Sequence, residues 1–66
     1  MGDLTLDEAT QYIAKGGSEF SDYPSGQAWT AALLLNWVNG MSNTTRKLQI
    51  IAIIRAFLGA NSGTGN

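Results

Sequence analysis

The stretch Ala28–Val38, Ala-Trp-Thr-Ala-Ala-Leu-Leu-Leu-Asn-Trp-Val, constrains this chain more than any other. Nine of its eleven residues are apolar, with Thr30 and Asn36 the exceptions. At about 100° per residue on a helical wheel the apolar side chains point every way, so a helix here has no solvent face. It must be covered all round, by the rest of the chain or by another molecule. The rest of the chain is short. A sequence of 66 residues normally needs disulfides, a metal, oligomerisation or unusually good packing to stay folded. Cys and His are both absent, which excludes disulfides and the usual zinc ligands. Packing and association remain.

Charge points the same way. Only 14% of the residues are charged, against roughly 25% in a typical soluble domain. All five acids (Asp3, Asp7, Glu8, Glu19, Asp22) lie in the first 22 residues, where Lys15 alone opposes them. From Tyr23 onward there are Arg46, Lys47 and Arg55 and no acid. The two ends are complementary, and meet either within one molecule or between neighbouring subunits.

Taken in order, residues 5–15 read as a first helix. Thr5 and Glu8 have capping-box spacing, and Asp7 and Glu8 suit the positive helix start. Lys15 suits the end, and Gly16 supplies a left-handed stop. Leu6, Ala9 and Ile13 make its narrow apolar stripe, with Tyr12 at the edge. Residues 16–25 form a connector with turn chemistry at Gly16-Gly17 and from Asp22 to Ser25. Its only large side chains, Phe20 and Tyr23, are expected to pin it to the core. The second helix spans 26–39, with a left-handed cap at Asn39-Gly40. Ser42 or Asn43 caps a third helix over 44–58, ended by Gly59. Ile50, Ile51, Ile53, Ile54, Phe57 and Leu58 cover about half its wheel. The β-branched run within it is read as helix because no second strand exists to pair with it. The expected architecture is all-α, a small three-helix module. A hairpin of the second and third helices carries the first helix docked across it. Residues 1–59 make one domain, and 60–66 a flexible tail.

Catalysis is not indicated. Without His or Cys, Ser and Thr lack their commonest activating base. The nearest carboxylate pair, Asp7 and Glu8, is explained by the helix start. No catalytic residue, metal ligand or cofactor is assigned. Arg46 and Lys47 are the local anomaly, because positive charge at a helix N-terminus is unfavourable. They either pair with the acids of the first helix or, with Asn43, Thr44 and Thr45, hold an anion or an acidic partner. Helix, Gly-containing turn, helix is also the outline of a helix-turn-helix. Asn36 and Arg46, however, stand where that class has a small and an apolar residue. The third helix offers isoleucines where a reading helix needs polar side chains. A pI near 4.9 is opposite to a basic footprint, so nucleic acid is not the expected partner.

Two short resemblances bear on function. The acidic amphipathic run Leu4–Gly17, ending in Gly16-Gly17, resembles the double-glycine leaders of exported bacterial peptides, with Ile13 one place too far from the glycines. The resemblance implies cleavage after Gly17, releasing Ser18–Asn66 as a membrane-active peptide. Leu4–Ala9 resembles the opening helix of some phage head–tail connector proteins, which implies a virion role. The acidic N-terminus is wrong for a signal peptide. Neither apolar run reaches the ~20 residues a bilayer requires.

The expected function is therefore a small non-enzymatic protein–protein interaction or assembly protein. It self-associates as a homo-oligomer, or binds a larger partner as an adaptor or virion-type component, in the cytoplasm or within an assembly. A membrane enters only after cleavage at Gly17. Its expected interaction surface is Trp29, Leu33, Asn36 and Trp37 on the second helix, with Ala52 and Ala56 on the outer side of the third.

Overall fold

Thr5 and Glu8 start the first helix as their spacing demands. In the computed structural model, which describes residues 2–62 and side chains through residue 60, Thr5 Oγ1 accepts the Glu8 amide at 3.1 Å. Glu8 Oε1 in turn accepts the Thr5 amide at 2.9 Å. The helix, α1, runs Leu6–Ala14. Leu4 just before the cap and Ala9 one turn in are both buried in the same core cluster, the two positions of a hydrophobic staple. That fold-back changes the apolar stripe. Ala9 and Tyr12 face inward and Leu4 joins them, while Leu6 is 54% exposed.

The C-terminus of α1 accounts for both glycines. Gly17 N donates to the Tyr12 carbonyl at 2.8 Å and Gly16 N to that of Ile13 at 3.1 Å, the paired bonds of a Schellman motif. Gly16 sits at φ 88°, a conformation only glycine adopts without cost. Gly17 serves a different need. It lies flat on the Tyr12 ring, where any Cβ would overlap the ring carbons.

The second helix, α2, is Ala31–Asn39, shorter than the 26–39 expected from the apolar run. Gly26 turns left-handed at φ 87°, and Thr30 is an extended cap whose Oγ1 accepts the Leu33 amide at 3.3 Å. Ala28 and Trp29 therefore belong to the connector. Asn39 is the last helical residue, but Gly40 has φ −89°, so the expected left-handed cap is not formed. Asn43 caps the third helix, α3, accepting the Arg46 amide at 3.1 Å. This helix is Thr44–Ser62 and does not stop at 58. Glycine inside a helix costs only ~1 kcal/mol relative to alanine, too little for Gly59 to end one unaided. Residues 60–62 of the expected tail are thus helical, and 63–66 lie outside the described residues.

Three helices and, among the described residues, no strand make an all-α module. Leu34 and Val38 from α2 and Ile50 and Ile54 from α3 are fully buried. α1 packs on both partners, which meet each other less extensively. Asn39 completes the closure. Its Oδ1 accepts the Leu4 amide at 3.0 Å, and its Nδ2 donates to the Leu4 carbonyl at 2.9 Å. The side chain thus pairs with one backbone residue as a strand neighbour would. Asn39→Asp removes the donor and sets a carboxylate against the carbonyl. We expect a loss of ~1–3 kcal/mol in urea unfolding, and an unchanged midpoint would show that this clamp carries no weight.

Candidate functional site

The connector between α1 and α2 is an aromatic assembly. Tyr23 stands edge-on between two indoles, 5.0 Å from Trp29 and 5.1 Å from Trp37 between ring centroids. Phe20 stacks on Tyr12 at 5.8 Å and also approaches both tryptophans. Tyr12 meets Phe57 of α3 at 5.0 Å. All six aromatic residues of the chain are joined in this one network. The tyrosine hydroxyls are satisfied within it, Tyr23 donating to the Ala28 carbonyl at 2.7 Å and Tyr12 to that of Ser18 at 2.8 Å.

The connector therefore supplies cover for α2 that the sequence had left open. Trp29 and Trp37 are half-buried against Tyr23 and Phe20, and Leu33 is half-buried. Ala32 and Asn36 are exposed, so α2 does have a narrow solvent strip, and Asn36 is not a buried polar group. The expected surface of Trp29, Leu33, Asn36 and Trp37 is for the most part turned inward.

The charges also meet within one molecule. Arg46 grips Asp22 through Nη2 at 2.7 Å and Nε at 2.9 Å, and its guanidinium lies 5.9 Å from the centre of the Phe20 ring. It thereby locks the connector one residue from Tyr23. Lys47 Nζ reaches Asp3 at 2.8 Å. Arg55 Nε donates to Glu8 Oε2 at 2.7 Å. Every cation of α3 is thus matched to an acid from the first 22 residues. Of the candidate anion-binding turn, Asn43 is spent as a cap and Arg46 and Lys47 are paired. Thr44 and Thr45 are exposed. The acids are Asp22 in the connector and Asp3 ahead of α1, not those on the helix itself.

Glu8 holds two structures together, the α1 cap and the Arg55 bridge. Hydrogen bonding to Arg55, opposed by partial burial and aided by the Thr5 amide, lowers its pKa from 4.5 to about 2. A carboxyl whose folded pKa is depressed stabilises the fold above its unfolded pKa and loses that contribution as pH falls through the folded value. Arg46 likewise lowers the pKa of Asp22. The thermal midpoint should therefore drop as pH falls from 4.5 toward about 2. Arg55→Ala should start lower and fall less across that window. Parallel slopes for the two proteins would refute the assignment to Glu8.

What remains uncovered is the outer face of α3. From Thr44 to Ala60 every exposed residue is uncharged, with apolar Leu48, Ala52, Ile53 and Ala56 alongside the polar Thr44, Thr45 and Gln49. Leu48 is 47% exposed and Ile53 41%, although Ile53 was expected in the buried half of the wheel. The buried face centres on Ile50, Ile51 and Ile54, and Ile53 lies about 100° from Ile54. Beside Leu48 an apolar groove of about 370 Å³ is lined by Gly2, Leu48, Ile51, Ala52 and Arg55. Ala52 and Ala56, expected on the outer side, are exposed there. Leu48 and Ile53 were missed as surface residues.

The fold and its surface define a small all-α module of three helices closed by an aromatic connector. Compared with known proteins, the chain matches no family model, no curated protein and no solved structure. Among the described residues no group of acids could hold a metal ion, and no helix is long and apolar enough to cross a membrane.

Proposed function

We propose that this chain is a small non-enzymatic protein–protein interaction module, acting in assembly or as an adaptor, that binds through the outer face of α3. One observation carries the reading. The exposed side of a long helix presents Leu48, Ala52, Ile53 and Ala56 with no charge among them. Exposed apolar patches of this kind mark contact surfaces. A nucleic acid or a free anion would need cations, and those of α3 are each held by a carboxylate at 2.8 Å or closer. The Gly17–Ser18 peptide of the leader reading is bonded to Tyr12 on both sides, Gly17 N donating to its carbonyl and its hydroxyl donating to the Ser18 carbonyl.

A photo-activatable side chain at Ala56 tests this in cells that express the chain, with Thr10, exposed on α1, as the reference position. Position 56 should give a discrete protein adduct and position 10 none. No adduct at 56, or equal adducts at both, would overturn the reading.

A further inference from the structure

We infer that Asn39-Gly40 is a deamidation site gated by the docking of Leu4, so that opening of the N-terminal segment becomes permanent once the site reacts. The chain contains one Asn-Gly pair. The reaction needs the Gly40 nitrogen to attack Asn39 Cγ, and a residue without a side chain hinders that approach least. The bond from Gly40 N to Cγ forms, the Cγ–Nδ2 bond breaks, and the Gly40 proton leaves with Nδ2 as ammonia. Water then opens the succinimide at either carbonyl, leaving aspartate or isoaspartate. Nothing is oxidised or reduced, and water is the only co-reactant.

The fold requires both members of the pair. Asn39 holds the Leu4 backbone through its side-chain oxygen and nitrogen, at 3.0 and 2.9 Å. Gly40 lies against the last turn of α2, where a Cβ would stand 2.9 Å from the Asn36 carbonyl oxygen. The same contacts disarm the pair. Gly40 N donates to the Asn36 carbonyl at 3.0 Å, so the nucleophile is engaged in the helix while the Leu4 clamp fixes its target. Gly40 is exposed and Asn39 half-buried, so water reaches both once the clamp opens. Besides Asn39, the segment is held by burial of the Leu4 side chain, by Lys47 on Asp3 at 2.8 Å and by Arg55 Nη2 on the Asp3 carbonyl at 3.3 Å. Conversion removes the donor to the Leu4 carbonyl and sets a carboxylate against it. Isoaspartate also lengthens the main chain at the end of α2. Either product leaves the Leu4 carbonyl without its partner, which opposes redocking.

The test incubates the purified full chain in mildly alkaline buffer, with and without guanidinium chloride, and follows each asparagine by peptide mapping. In denaturant Asn39 should convert ahead of Asn36 and Asn43, which are followed by Trp37 and Thr44. Without denaturant its conversion should be slower by roughly tenfold or more, since only locally opened molecules react. Lys47→Ala removes the Asp3 tether and leaves the reactive pair intact. It should convert about two- to fivefold faster than the parent in buffer, the range an exposed ion pair allows, and at the parent's rate in denaturant. The isolated product should unfold at a lower urea concentration than fresh protein. Equal rates with and without denaturant, or no effect of Lys47→Ala in buffer, would overturn the gate. Asn36 or Asn43 converting first, or a product with an unchanged midpoint, would overturn the site itself.

Discussion

Tyr23→Ala should unfold this protein or come close to it. Removing a large buried aromatic typically costs ~3–5 kcal/mol, and a core this small rarely supplies more than ~3–5 kcal/mol in total. Tyr23 is 6% exposed, and both indoles turn edge-on to its ring. Its loss opens a void that cannot close by a small shift. Trp29 would lose its place ahead of the α2 cap, and Trp37 its cover on the helix itself. Tyr23→Phe separates packing from hydrogen bonding. It keeps the ring and deletes only the bond to the Ala28 carbonyl, at a cost of ~1 kcal/mol. Urea unfolding followed by tryptophan fluorescence reads both variants, because Trp29 and Trp37 are the only tryptophans. A loss below ~1 kcal/mol for Tyr23→Ala would mean that the aromatic assembly is decoration rather than core.

Gly17→Ala should be the most damaging glycine-to-alanine change among the described residues. The new Cβ would sit inside contact distance of Cζ, Cε1 and Cε2 of Tyr12. That ring cannot withdraw easily, since Phe20 stacks on it and Phe57 meets it edge-on. Overpacking of this kind costs ~1–3 kcal/mol and occasionally more. Gly16→Ala next door is a different experiment. Nothing crowds a Cβ there, and its cost is the ~1–2 kcal/mol of a left-handed alanine. The two mechanisms separate in a Tyr12→Leu background. There the Gly17→Ala penalty should shrink, because the flat ring is gone, while the Gly16→Ala penalty should persist. Equal penalties in both backgrounds would remove the steric account of Gly17.

Local rules made the helix starts and stops readable in advance where short-range chemistry decides them. The Thr5–Glu8 box and the Gly16 stop each involve groups within a few residues of one another, so spacing alone identifies them, while the choice between Ser42 and Asn43 as the α3 cap was made by the structure. The same holds for Ile50 and Ile54 as core, which a wheel places on one face. Failures occurred where a weak local preference met a tertiary demand. The apolar run at Ala28 promised an early start to α2. Gly26 and Thr30 instead hold that segment out of the helix and let Trp29 turn toward Tyr23. Gly59 read as a stop and is helical. Of the candidate surface residues, Ala52 and Ala56 are exposed, whereas Trp29 and Trp37, which the wheel could place either in the core or at an interface, are half-buried.

Composition and order by themselves determined that this is an all-helical chain with complementary ends and too few charges for an ordinary surface. They also led to the expectation that an apolar helix face would be covered, by the rest of the chain or by another molecule. Which face that is, only the tertiary structure decided. Phe20 and Tyr23 lie in a connector with no period to read, and their reach onto α2 depends on a path fixed by Arg46 and Asp22, 24 residues apart. Once that path closes, α2 is largely sheltered, and the exposed large apolar side chains are Leu6 on α1 and Leu48 and Ile53 on α3. A contact between distant residues is set by packing the whole chain at once, and no local pattern encodes it.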